Sequence, residues 1–206
     1  MSLSRSDFQV ISDWITPNSS VLDLGCGNGE LLSELSNSLG VSGYGIEIDD
    51  KNISQCIKAG INVIQRDLDL GLSDFDEDSF DFVILSMTLQ ASNYPHRLLS
   101  EMLRVGTEGI VTFPNFGNIS SRIQLGFGGR MPITRTLPLE WYNTTNIHLC
   151  TLKDFEELCE KLDIEILERR AVSHSNKTGP GLKLFPNLFG EIALYRFRSK
   201  AIDSNK

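Results

Sequence analysis

The run Val21-Leu22-Asp23-Leu24-Gly25-Cys26-Gly27-Asn28-Gly29 limits this chain more than any other part of it. A short apolar stretch leads into three alternating glycines, and Leu31, Leu32, Leu35 and Leu39 then recur at helical spacing up to Gly40. That pattern reads strand, glycine turn, helix, with backbone able to approach a ligand where no Cβ stands in the way.

The alternation continues along the chain. Ser4 to Ile15 carries Phe8, Ile11 and Ile15 on one face behind a Ser4-x-x-Asp7 capping pattern, and Pro17 ends this lead-in helix. Strands are expected at Tyr44–Ile48, Ile61–Ile64, Phe80–Leu85 and Gly109–Phe113, with helices at Ile53–Ala59 and Pro95–Val105 between them. Thr151 with Asp154 forms a capping box for a helix carrying Leu152, Phe155, Leu158, Cys159 and Leu162. Strand-like runs at Ile164–Leu167 and Ile192–Phe197 follow and are expected to close the sheet as an antiparallel edge hairpin. The fold expected is α/β: a Rossmann-like, doubly wound, mostly parallel seven-stranded sheet with its ligand crevice at the carboxyl ends of the strands. One domain spans residues 1–198, and residues 199–206 form a polar tail. Residues 114–146 lose periodicity to Gly, Pro, Asn and Arg and are expected to be a lid or insertion.

Composition excludes several partners. The formal net charge of -8 opposes a surface for nucleic acid, which rewards lysine and arginine that displace counterions. No apolar run approaches the roughly 20 residues that cross a bilayer, and Met1 to Gln9 has no basic-then-apolar leader, so no membrane is expected and the cytoplasm is the expected compartment. Cys26, Cys56, Cys150 and Cys159 form no CxxC pair and are read as free thiols, with no metal site.

The acids around the glycine turn narrow the ligand. A dinucleotide fingerprint needs glycine three positions after Gly27, where this chain has Glu30, an anion beside the helix N-terminus that would hold pyrophosphate. No Gly-Lys-Ser/Thr follows, which removes a P-loop. Asp23, two residues before the first glycine, would repel phosphate but suits ammonium and sulfonium charges. S-adenosylmethionine carries both. Glu47 ends the second strand, where a carboxylate can accept from both ribose hydroxyls. Asp67 follows the third strand, within reach of an adenine amino group, while Leu68 packs on the ring. The alternative for all three acids is that they end strands or cap helices.

The loop Asp23-Leu24-Gly25-Cys26-Gly27-Asn28-Gly29 with Glu47 resembles motif I and the acidic site of class I methyltransferases, over about the first 115 residues. Four further segments extend the likeness along nearly the whole chain: Phe113-Pro114-Asn115-Phe116-Gly117, Gly129-Arg130-Met131-Pro132-Ile133-Thr134, Glu140-Trp141-Tyr142-Asn143 and Asn146-Ile147-His148-Leu149-Cys150-Thr151. Together they resemble the methionine biosynthesis protein MetW family. The resemblance implies an S-adenosylmethionine site built from Asp23, Gly25, Cys26, Gly27, Asn28, Glu47, Ile48, Asp67 and Leu68. It also implies a role in methionine supply beside homoserine O-acyltransferase, through complex formation.

Methyl transfer needs little beyond alignment of donor and acceptor, so the lack of a nucleophile motif decides nothing. Asn115 and the Met87–Gln90 segment would lie near the transferable methyl, and either could orient a small-molecule acceptor. His148 could act as a base or a substrate ligand, with a structural hydrogen bond as the alternative. Arg122, Arg130 and Arg135 could bind a carboxylate, a phosphate or an acidic partner. Trp141 and Tyr142 could line a pocket or anchor an interface. Four uses remain open: a methyltransferase-like protein acting with the acyltransferase, a non-catalytic sensor of S-adenosylmethionine, an active small-molecule methyltransferase outside methionine synthesis, and a dinucleotide-dependent oxidoreductase, which tight NAD binding would favour.

Overall fold

The computed structural model describes residues 6–173 and 180–200. Helices α1 (Ser6–Trp14), α2 (Glu30–Leu39), α3 (Asp50–Lys58), α4 (Pro95–Val105), α5 (Ile119–Gly126), α6 (Leu152–Lys161), α7 (Pro180–Leu184) and α8 (Pro186–Phe189) surround one sheet. Its strands are β1 (Ser20–Leu24), β2 (Ser42–Glu47), β3 (Val63–Gln65), β4 (Phe80–Ser86), β5 (Gly106–Pro114), β6 (Ile164–Val172) and β7 (Ile192–Ser199), in the order β3-β2-β1-β4-β5-β7-β6. β1 to β5 run parallel, and β7 lies antiparallel between β5 and β6. The strand order reverses between β1 and β4, so the crevice of a doubly wound sheet falls at their carboxyl ends.

Period-two alternation sends neighbouring residues into two separate cores. Leu22 and Leu24 of β1, Val83 and Leu85 of β4 and Tyr195 and Phe197 of β7 pack against α4 and α6. Val21, Ile84 and Leu194 face the other way, onto α1 and α2. The Thr151–Asp154 capping box at α6 is present in both directions, and α4 runs from Pro95 to Val105 as its pattern requires.

α3, β3 and the segment 114–146 are among the elements that depart from expectation. α3 starts three residues before Ile53 because the Asp49 side chain accepts the Asn52 N–H at 2.9 Å and nucleates a polar first turn. β3 shifts to Val63–Gln65, where it can pair with Gly45 to Glu47 of β2. The segment 114–146 contains α5, capped by Asn118, whose Oδ1 accepts the Ser120 N–H. α5 escapes pattern reading because Ser121 is its one buried residue, while Ile119, Ile123 and Leu125 face outward. Ser4 and residues 201–206 lie outside the described residues. No helix among those described is long and apolar enough to cross a membrane.

Candidate functional site

The carboxyl ends of β1 and β2 meet under the glycine turn. Gly25 and Cys26 both donate their N–H to the Ile46 carbonyl, at 2.8 and 3.0 Å, which bends the chain sharply out of β1. Gly25 adopts φ +70°, and a Cβ there would stand 2.8 Å from Cγ2 and Oγ1 of Thr88. Glycine is required on both counts. Gly27, at φ +56°, has open space where a Cβ would project.

Glu47 ties this turn to the end of β2. Its Oε2 accepts the Gly27 N–H at 2.8 Å, and its Oε1 accepts those of Ile48 and Asp49 at 2.8 and 2.9 Å. The side chain is 8% exposed, so three backbone dipoles stabilise a carboxylate largely withdrawn from water. Oε2 takes only one of these bonds and keeps acceptor capacity for a hydroxyl.

A cavity of about 240 Å³ opens here, lined by Gly25, Glu47, Ile48, Asp67, Leu68 and Thr88 among others. Ile48 is 59% exposed and gives the mouth a bare apolar face. Asp67 caps the short turn of helix at Leu68–Leu70, accepting the Asp69 N–H at 2.9 Å. Pattern reading missed five other lining groups, Ile46, Arg66, Asp69, Ala91 and Ser92. Only the second acid of Asp67-Leu68-Asp69 offered a signal. Arg66 lines the cavity with its guanidinium already engaged, donating to the Gly71 carbonyl and pairing with Asp74. Burial alone would push the Asp69 carboxyl up, but hydrogen bonds from the Asn93 side chain and backbone, the Ser92 hydroxyl and the Tyr94 N–H outweigh it and hold the group below the usual carboxylate range. The wall thus carries Glu47, Asp67 and Asp69 against one arginine that is already paired. Such a cavity favours a cationic ligand bearing hydroxyls over a pyrophosphate.

The remaining expected site residues lie around this cavity rather than in its wall. Asp23 is buried within β1. Asn28 is exposed, its Oδ1 accepting the Glu30 N–H at 3.2 Å. Cys26 turns beneath the loop, 3.9 Å from the Cys56 sulfur, while the Cys56 thiol donates to the Gly27 carbonyl at 3.2 Å. Burial pushes both thiols up, so these cysteines serve as neutral packing groups.

Asn115 and His148 have other occupations. The Asn115 amide donates to the carbonyls of Asn187 and Gly190, and its Oδ1 accepts the Gly117 N–H. Those bonds clamp the turn after β5 to the segment before β7, which leaves little of the amide to orient an acceptor. His148 is exposed, and its ring lies 3.4 Å from the Asn93 carbonyl, while its N–H and that of Ile147 donate to the Gln90 carbonyl. It anchors the end of the 114–146 segment beside the cavity.

A model of the methionine biosynthesis protein MetW family matches residues 5–197. The chain belongs to this family. It is 39% identical over 171 residues to the bifunctional methionine biosynthesis protein MetXA/MetW of Rhodopirellula baltica, an alignment covering 79% of this chain and 27% of that relative. This MetW-family chain therefore spans about a quarter of its longer relative. Among solved structures, it resembles an S-adenosylmethionine-dependent methyltransferase from Mesorhizobium loti, with TM-score 0.70, 17% identity, and coverage of 95% of this chain and 98% of that one. A methyltransferase from Archaeoglobus fulgidus gives TM-score 0.68 at 19% identity, covering 94% and 92%. The shared feature is the class I methyltransferase fold, in agreement with the sheet order above.

Proposed function

We propose that this MetW-family chain binds S-adenosylmethionine at the β1–β2 cavity and acts in methionine biosynthesis in a complex with homoserine O-acyltransferase. The observation that carries the reading is Glu47, a carboxylate pinned by three backbone N–H groups at the end of β2, with spare acceptor capacity facing the cavity. Glu47 would accept from the ribose hydroxyls, Ile48 and Leu68 would flank the adenine, and Asp67 would reach its amino group. The Gly25–Gly29 backbone and Asp23 would hold the methionine portion, where acidic surroundings suit its positive charges. When bound, the cofactor supplies an electrophilic methyl group on a sulfonium. The protein's own contribution is to orient it and shield it from water.

The partnership rests on two supports. The relative from Rhodopirellula baltica joins a MetXA part and a MetW part in one chain. On this chain, Phe127 is 92% exposed, Trp141 73% and Tyr142 68%, a concentration of large apolar groups in the 114–146 segment that suits a protein interface.

Titration calorimetry with S-adenosylmethionine and S-adenosylhomocysteine tests the cofactor site, and repetition with homoserine O-acyltransferase present tests the complex. Saturable binding whose affinity changes with the acyltransferase is the expected outcome. Binding of neither ligand, with or without the partner, overturns the cofactor site.

A further inference from the structure

A second cavity, about 300 Å³, opens at the edge of the sheet between β6 and the pair α7 and α8, and none of its lining residues belongs to the first. Its size meets the lower end of the range of small-molecule sites, about 300–1,000 Å³. Arg169, Arg170 and Ala171 of β6 form one wall, and Leu182 and Lys183 of α7 with Pro186 of α8 form the other. A Cβ at Gly190 would stand 2.6 Å from that of Ala171, so the missing side chain lets the end of α8 sit directly on the strand. The Asn115 amide holds the carbonyls of Asn187 and Gly190, at 3.0 and 2.8 Å, and ties the same wall to the end of β5.

The charged groups among these lining residues are all cationic. Residues 169–190 contain four lysines and arginines and no aspartate or glutamate, in a chain whose formal net charge is -8. Arg169 is shared with Glu156, at 3.0 Å. The side chains of Arg170 and Lys183 have neither an ion pair nor a hydrogen bond among the described residues. Two like charges lining one cavity repel, and an anion bound between them turns that repulsion into attraction. The guanidinium supplies a planar fork of donors and the ammonium a point charge, a pair that suits phosphate oxygens. A monocarboxylate neutralises only one of the two. A phosphate monoester, with about -1.5 to -2 charges at pH 7, matches both. Ala171, Leu182 and Pro186 add apolar surface for an organic group on the ester oxygen.

We propose that this cavity is a second ligand site, separate from the cofactor site, that takes a small phosphate monoester with an apolar organic group. Its phosphate meets Arg170 and Lys183, and its organic group lies against Leu182 and Pro186. The proposal stands whether or not the first cavity binds S-adenosylmethionine.

Calorimetry and thermal-shift measurements on the whole chain would use phenyl phosphate, inorganic phosphate and benzoate. Phenyl phosphate is expected to bind saturably. Inorganic phosphate, which lacks the apolar contact, and benzoate, which carries a single charge, should each bind about tenfold more weakly. Arg170→Gln and Lys183→Gln should each weaken phenyl phosphate binding by about tenfold while keeping the wild-type melting temperature, since both side chains are exposed. The double variant should lose the binding, and Asp67→Ala, which alters only the other cavity, should leave it unchanged. Failure of phenyl phosphate to bind, equal binding of inorganic phosphate or benzoate, or binding indifferent to Arg170→Gln and Lys183→Gln would each overturn the proposal.

Discussion

Glu47 Oε2 accepts the Gly27 N–H at 2.8 Å, so one carboxylate at the end of β2 holds the glycine turn that leaves β1. The same side chain satisfies Ile48 and Asp49 N–H groups at the entry to α3. Glu47→Gln replaces one acceptor oxygen by an NH₂ that confronts backbone donors. This variant should lose about 2 kcal/mol of stability in urea unfolding and bind S-adenosylhomocysteine at least about tenfold more weakly by calorimetry. Unchanged affinity in a folded Glu47→Gln protein would remove Glu47 from the cofactor site.

Gly25→Ala meets two obstacles that a double variant separates. The φ of +70° costs an L-residue about 1–2 kcal/mol, and the new methyl also collides with Thr88. Thr88→Ala in the same chain should relieve the collision and leave the backbone cost. Thermal unfolding of the two single variants and the double variant should therefore show partial rescue. Complete rescue would mean that the turn relaxes out of the left-handed region.

Acid stability should depend on Glu101. Hydrogen bonds from Arg104 are the chief cause holding its carboxyl below the usual range, aided by the Leu72 N–H, against the opposing effect of burial. A folded-state value below the unfolded one means the contribution is complete above the ordinary glutamate value of about 4.3 and disappears as pH falls through the lower folded value. Unfolding curves from pH 7 downward should fall less steeply below about pH 4.3 for Glu101→Gln than for the wild type. Identical slopes would show that the pair does not couple to folding.

Trp141 and Tyr142 pack edge to face, with centroids 5.7 Å apart, and both are largely exposed. Trp141→Ala should leave the melting temperature within about 1 °C of wild type, because exposed substitutions rarely matter for stability. It should weaken association with homoserine O-acyltransferase at least about tenfold in sedimentation or surface-binding measurements, as expected for a central aromatic anchor. A normal complex would place the interface elsewhere.

The role of each expected residue separates along the same line as local and long-range order. Glu47 was legible because its position at a strand end follows from the distance to the preceding glycine turn, both local facts. Asn115 was not: its partners, Asn187 and Gly190, lie over seventy positions away in sequence. Arg66 appeared to pattern reading as a neighbour of Asp67 and nothing more, yet its pairing with Asp74 shapes the charge of the cavity.

By itself the sequence determined the succession of strands and helices, the glycine turn, the capping box of α6 and the acids at the ends of β2 and β3. These follow from periods of two and 3.6 residues, from positive-φ glycines and from side chains that cap their own helix. Tertiary structure alone decided that β1 and β4 adjoin and create the crevice, and that α5 forms without an apolar stripe. It also brought Arg170, Lys183 and Pro186 around one cavity. Those outcomes depend on contacts between distant segments, whose energies no local pattern records.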